Sequence, residues 1–430
     1  MALVLGCKSA PAQPPLDPKP PRVFCLSREG LAEAKRIVAR DDPSVRASLQ
    51  RLLREADQAL DVGPFSVVLK SRPPQSGNKH DYYSVSPYHW PDPEKNDGLP
   101  YKSRDGFTNP EWWQDYDRVP LERLAQATET LALAYTFTGR EHYAARAAHL
   151  VRTWFLDPAT AMTPDLVYAQ AIPGTMPGHT QVIDTRFLPR LIDAVGLIAP
   201  NKAWTEKDQI GLVAWFREFL VNVRRRADEG YRNSVHNIAS YYHVQTAAMA
   251  LFVGDDAQAR ELIERTKARL ALAVEPDGFF QRERRRTRSL SYSCFHLYAL
   301  FNLATMGRLV GIDLWNYSTA DGRGLRLALD TVARHAGPYP PGDWPLSETG
   351  RTPGDWWDPF HDQLPSVLHH AAAVYGDSGY LTQAAKILGG PAAVDLNRLQ
   401  LLCGLPLPGQ QSLGGWLFHP SSAETEGARN

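Results

Sequence analysis

From residue 23 onward, apolar residues recur at three- and four-residue steps, the spacing that lays one stripe along an α-helix. In "LERLAQATETLALAYTFTGREHYAARAAHLVRTWF" the residues Leu124, Ala127, Leu131, Ala134 and Tyr135 keep that step. Gly139 ends a first helix, and a second runs until Asp157 and Pro158, where the ring of proline cannot continue it. Thr205, followed by Glu206, Lys207 and Asp208, reads as the N-cap of a long helix that ends at Gly230. Three segments, "LALAYTFTGREHYAARAAHL", "AAMALFVGDDAQARELIERT" and "HAAAVYGDSGYLTQAAKIL", share one plan: an apolar helix end, a Gly-containing turn, then an amphipathic helix. Helical hairpins recurring along a chain build α/α solenoids and toroids. The alternating segments at short spacing that a β-sandwich needs are not found. The pattern predicts an all-α fold of stacked helix pairs.

Three regions break the pattern: residues 73–113, 168–187 and 337–363, the first of them rich in Pro, Gly, Asn and aromatics. The first, "PPQSGNKHDYYSVSPYHWPDPEKNDGLPYKSRDGFTNPEWW", is too long for an idle connector. Loops of that length in compact domains usually carry function. Rigid helices bearing three aromatic, polar loops predict a cleft.

Composition narrows what the cleft holds. Lysine plus arginine equals aspartate plus glutamate, 47 against 47, so no global field favours nucleic acid or an acidic membrane. An anionic ligand must therefore meet a local patch. Eleven tryptophans and seventeen tyrosines provide flat amphipathic rings that suit sugar faces. Cys7, Cys25, Cys294 and Cys403 are too scattered for a disulfide framework or a zinc site. No stretch approaches the roughly 20 apolar residues that span a bilayer. The chain divides into a leader at 1–22, one domain at 23–420 and a tail at 421–430. The opening "MALVLGC" followed by a proline-rich stretch reads as the end of a bacterial lipoprotein signal, with Cys7 as a lipid anchor on an exported, periplasmic or cell-surface protein. A leader without structure is the alternative reading.

Two stretches carry candidate chemistry. "RNSVHNIASYYHVQ", residues 232–245, gathers two histidines, two asparagines and two tyrosines. In "EPDGFFQRERRRTRSLSYSCFHLYALF", residues 275–301, Arg282, Arg284, Arg285, Arg286 and Arg288 lead directly into an apolar helix through Tyr292. Most charge runs are solvated turns. Here some of the guanidiniums must sit near the core face, where an arginine needs an anionic or hydrogen-bonding partner. A tyrosine beside arginines has its phenolate stabilised, and a phenol that loses and regains a proton is a general base and acid.

Several ordered blocks, "SGNKHDYYSVSPYHWPDP", "DGLPYKSRDGFTNPE", "YAQAIPG", "VIDTRFLPRLIDAVGLI", "RTRSLSYS" and "GIDLWNYSTADGRGLRLALD", resemble the alginate lyase family of polysaccharide lyases, which includes relatives that cleave glucuronan. The resemblance spans roughly residues 70–375. It implies an α/α toroid that cleaves an anionic 1,4-linked uronate polymer (alginate, mannuronan or glucuronan) by β-elimination, without a metal or organic cofactor. The substrate carboxylate is neutralised so that the C5 proton becomes removable, and an acid protonates the departing O4. In mannuronate and glucuronate these two atoms share one side of the ring, so one tyrosine can serve both steps.

By this resemblance Tyr292 is the catalytic acid and base, and Arg286 holds the substrate carboxylate or lowers the tyrosine pKa. Tyr241, Tyr242, Val244 and Gln245 match the end of the family's asparagine–histidine motif. Its front departs: His236 comes early, Asn237 follows it, and His243 replaces the acid. The motif implies His236 as base or carboxylate partner, facing Tyr292 across a sugar-sized gap, and Asn237 as carboxylate neutraliser. Lys79, His80, Tyr82, Tyr88, Trp90 and Arg104 match groove positions, His179 and Gln181 fall on the cleft wall, and Arg288, Tyr241, Tyr242 and His361 complete the expected substrate-binding set. On the residues alone, His80, His89, His296 and His335 are left as structural hydrogen-bonders. His361, His369 and His370 point in different directions from a helix and form no metal site.

Two other classes remain open on the residues alone. An α/α-barrel glycoside hydrolase would use two carboxylates, with Asp184, Asp355 and Asp358 as candidates. A non-catalytic polysaccharide-binding relative would account for the altered motif around His236.

Overall fold

The computed structural model describes residues 22–114, 116–176, 182–337, 342–349 and 358–407. Helices dominate, in hairpins. The chain opens with α1 (Arg28–Ala39) and α2 (Pro43–Ala59), continues through α3 (Arg118–Thr138), α4 (Glu141–Phe155) and α5 (Leu188–Ile198), and then α6 (Glu206–Tyr231), α7 (Asn237–Phe252) and α8 (Asp256–Ala273). It ends with α9 (Ser289–Leu309), α10 (Leu325–Ala333), the single turn α11 (Pro359–Asp362), α12 (Leu364–Tyr375), α13 (Gly379–Leu388), α14 (Pro391–Leu396) and α15 (Arg398–Cys403). The three repeated segments are the turns between α3 and α4, α7 and α8, and α12 and α13, each closed by a glycine at positive φ (Gly139, Gly254, Gly376). Thr205 caps α6 in a capping box with Asp208.

The helices form an α/α toroid. Contacts run from α3 to α5, α7, α9 and α12, and α4, α6, α8, α10 and α13 back this inner row. An inner helix touches protein on every side, so it has no polar stripe. Helix α7 is buried at every position except Ile238, and α9 from Ser289 to Gly307. One continuous apolar cluster extends from Val23 to Leu405. The two ends of the described chain pack together, α1 and α2 against α15. Gly30 lies so close to α15 that a Cβ would stand 1.7 Å from the Leu402 carbonyl oxygen. Before α1, the N–H groups of Phe24, Cys25 and Leu26 all donate to the buried Asp193 carboxylate on α5, at 2.6–2.8 Å.

The loops gather on one rim. Strand β1 (Tyr83–Val85) pairs in parallel with β4 (Tyr168–Ala171), joining two of the three irregular regions, and β2 (His89–Trp90) pairs antiparallel with β3 (Lys102–Ser103). The third region reaches the same rim where Ser289 N–H donates to Ser347 O and Thr349 N–H to Thr287 O. Among the described residues no helix is long and apolar enough to cross a membrane.

Candidate active site

Where the loops meet the N-terminal ends of α7 and α9 lies a cavity of about 260 Å³. Tyr88 and His89 enter it from the first loop, Gln170 from β4, Arg186 from the turn before α5, and Arg118 from the start of α3. Asn237 and Ile238 open α7, while Arg286, Arg288 and Tyr292 come from the arginine-rich segment and α9. Among the described residues, four arginines and one aspartate, Asp184, line it, so a chain without net charge gathers cations at this cleft. That is the local patch an anionic ligand requires.

Tyr292 is almost fully buried, and its hydroxyl donates to Tyr88 Oη at 2.9 Å. The guanidinium of Arg286 sits over the Tyr292 ring, 3.6 Å from its centroid. Burial raises the Tyr292 pKa well above the usual tyrosine value, and the Tyr88 interaction adds to this; Arg286 pulls the other way and loses. Arg286 is itself held by Asp105, Nε to Oδ2 at 3.0 Å with a second bond to Oδ1. Burial lowers its pKa, but the Asp105 bond and the two tyrosines outweigh it, so the pKa lies above the usual value. Arg286 thus pulls the Tyr292 pKa down, and desolvation outweighs it.

Asn237 is the first residue of α7, and both its backbone N–H and its side-chain Nδ2 donate to Glu283 Oε1, at 2.8 and 2.9 Å. The other arginines rest on rings and acids. Arg118 lies 3.7 Å from the centroid of Trp112 and pairs with Glu122 at 2.9 Å. Arg186 packs 3.9 Å from the Phe187 centroid, and burial, then Arg118, lowers its pKa to about 10. Gln170 takes a left-handed backbone, φ 48°, in which its N–H meets Ser84 Oγ and its Nε2 meets Asp184 Oδ1. Non-glycine residues at positive φ cluster at functional sites, where the surroundings hold them.

Of the expected site residues, the structure brings Tyr292, Asn237, Arg286, Arg288 and Tyr88 into this cavity. His236 is not among its lining residues. As N-cap of α7 it accepts the Ala239 N–H on its own Nδ1 and sets its ring edge against Tyr231; burial lowers its pKa to about 4. The hydrogen-bond partner of the Tyr292 hydroxyl in the cavity is Tyr88. Tyr242 and Tyr241 are core residues: the first donates to Asp228 across α6, and the second stacks on Phe295 behind the cleft wall. Tyr82 is buried with its hydroxyl on Asp184, and His80 bonds the Ala161 carbonyl. Lys79 is exposed away from the cavity, and Trp90 and Arg104 stack on each other on the β2–β3 hairpin, 5.1 Å from ring centroid to guanidinium carbon. His361 pairs with Asp358. His179 and Gln181 lie outside the described residues.

The cavity also holds residues that sequence reasoning did not select: Arg118, Arg186, Gln170, Ser86 and His89. His89, expected to be structural, faces the cleft and meets Ser86 Oγ at 2.7 Å; burial lowers its pKa. Gln170, Arg186 and His89 all sit in the blocks "YAQAIPG", "VIDTRF" and "PYHW", which was the available signal. Arg118 has no such signal; only its burial under Trp112 reveals it. Of the acids considered for hydrolysis, Asp184 accepts from Ser84, Tyr82 and Gln170, and Asp358 pairs with His361. Asp355 lies outside the described residues. Among the described residues no group of three or more His, Cys, Asp or Glu side chains could hold a metal ion.

Residues 66–341 match the protein family model described as Alginate lyase. The chain is similar to the crystal structure of an alginate lyase from Bacteroides ovatus, with 33% identity and a TM-score of 0.81 over 89% of this chain and 99% of that one. It shares its fold with a variant of alginate lyase A1-III, an enzyme of Sphingomonas species A1, complexed with tetrasaccharide: 15% identity, TM-score 0.52, covering 81% and 87% of the two chains. No curated protein matches.

Proposed function

The chain belongs to the alginate lyase family and is a polysaccharide lyase, and from that premise we propose that it cleaves 1,4-linked uronate polymers by β-elimination, with Tyr292 moving the protons. The observation that carries this reading is the shared cavity of Tyr292, Asn237 and four arginines in a chain of zero net charge. A uronate seated there meets cations and an amide at its carboxylate. Neutralising that group acidifies the C5 proton by stabilising the charge that develops on the carboxylate oxygens. Asn237 and the guanidinium groups are assigned to that task.

Tyr292 is assigned both proton transfers. Its raised pKa keeps it as a phenol in the free protein, the form that protonates a departing O4. To remove the C5 proton it must first ionise, and Arg286 over its ring is the charge that lowers that barrier. In mannuronate and glucuronate the C5 hydrogen and O4 lie on the same side, so a single phenol returns to the leaving oxygen the proton it took. Alginate is the first candidate substrate, on the description of the matching family and of the similar Bacteroides ovatus structure, with glucuronan as the related one. The proposal extends to one domain over residues 23–420, export to the periplasm or cell surface, and Cys7 as a lipid anchor.

The test is purified protein against mannuronan, guluronan and glucuronan, followed by ultraviolet absorbance. A rising conjugated C4–C5 double bond is expected on at least one polymer. New reducing ends without that absorbance would mean hydrolysis, and neither signal would mean a binding protein.

A further inference from the structure

Beneath the cleft lies a buried carboxylate that the reaction as described does not use. Glu283 is 1% exposed, in the short turn Glu283–Arg285 that delivers Arg286 and Arg288 to the site. One oxygen takes both nitrogens of Asn237, and the other lies 3.5 Å from His296 Nδ1. His296 stands one helical turn beyond Tyr292 on the same face of α9. We propose that Glu283 is a positioning residue: its carboxylate sets the amide of Asn237 and ties the start of α7 to the helix that carries Tyr292.

Arg269 donates to Ser240 Oγ at 2.8 Å, and the same hydroxyl lies 2.7 Å from His296 Nε2, so the ring is held from that side while its Nδ1 faces Glu283. Phe280 stacks on the imidazole at 4.3 Å between centroids and holds its plane. Burial pushes the Glu283 pKa up, but His296 and the two Asn237 bonds outweigh this, and it stays below the usual glutamate value.

Charge matters here because of how an amide is recognised. The oxygen and nitrogen of Asn237 have nearly the same shape, so packing alone does not choose between the two flips. A carboxylate only accepts, which forces Nδ2 toward Glu283 and fixes where the second N–H and Oδ1 of Asn237 point. A glutamine at 283 would still turn its oxygen to the Asn237 backbone N–H, but its two bonds to Asn237 would be neutral and weaker, and its own NH₂ would face His296. An anion beneath a cleft for anionic polymers also weakens its attraction for substrate, and a strut would hold as well without charge. The orientation of Asn237 is what the carboxylate contributes.

The inference rests on Asn237 acting at the substrate carboxylate, so the test separates the two. Turnover of the polymer cleaved by the wild type is measured for Glu283→Gln, Asn237→Ala and the double variant, with folding checked by near-ultraviolet circular dichroism. Glu283→Gln should lower kcat by about 10- to 100-fold, the usual effect of losing an outer partner of a reacting group, with KM within about 2-fold. In the Asn237→Ala background the same substitution should change kcat by less than about 3-fold, because its target is gone. Equal factors in both backgrounds, or an unchanged kcat in Glu283→Gln, would overturn the inference. Glu283→Asp keeps the charge but withdraws it, and carries the same comparison should the glutamine variant not fold. Full activity in Asn237→Ala would remove the reading of the site itself, and this inference with it.

Discussion

Tyr292 donates its phenolic proton to the hydroxyl of Tyr88 across 2.9 Å, joining residues 204 positions apart in the chain. The contact docks the aromatic loop onto the inner helix α9, so the reacting phenol sits at a junction of loop and toroid. Arg286 makes the same junction from the other side, with its plane on the Tyr292 ring and its nitrogens on Asp105 of the loop.

Tyr292→Phe removes the only proton that Tyr292 can exchange and leaves the ring under Arg286. Turnover should fall by about 10²–10⁴-fold, the range for a lost general acid–base, while polymer still binds in a titration of the inactive protein. Retained turnover would mean that another group moves the protons.

The kcat/KM profile reports groups of the free enzyme. Burial raises the Tyr292 pKa, so the phenolate is scarce at neutral pH and grows as pH rises; kcat/KM should climb through the alkaline range. Arg286 is the charge that lowers this pKa. Arg286→Gln should therefore move the rising limb to higher pH, and a shift toward lower pH would contradict the stacking role.

Asp105 occupies Arg286 with a carboxylate, the group a uronate brings. Substrate must compete with it. Asp105→Asn should lower KM by roughly 1.5- to 5-fold, the equivalent of a partly exposed ion pair, at unchanged kcat. A higher KM would show that the Asp105 bond builds the cleft instead of blocking it.

Asp193 accepts three backbone N–H groups from residues 24–26 in the core. Asp193→Ala leaves all three unpaired, which should cost about 3 kcal/mol or more, read as a lower denaturant midpoint at constant m-value. Activity per folded molecule should be retained, since the contact lies outside the cleft lining.

Much of this protein is local in origin. The glycine-closed hairpins, the capping box at Thr205, the three irregular regions and the arginine run into Tyr292 all depend on neighbours within a few turns, so periodicity and turn chemistry determine them. The choice of faces does not. Helix α7 is buried almost all round, and a helix without a solvent side carries no pattern to say which polar residue meets the cleft. His236 and Asn237 are adjacent in sequence, yet one caps the helix and the other lines the cavity. Tyr241 and Tyr242 belong to the expected substrate-binding set and are core struts, whereas Arg118, which no motif marks, lies under Trp112 at the cleft. Such assignments follow from packing between segments tens to hundreds of residues apart. Desolvation and pairing there decide which groups stay charged and which way they point, and only the closed toroid sets those distances.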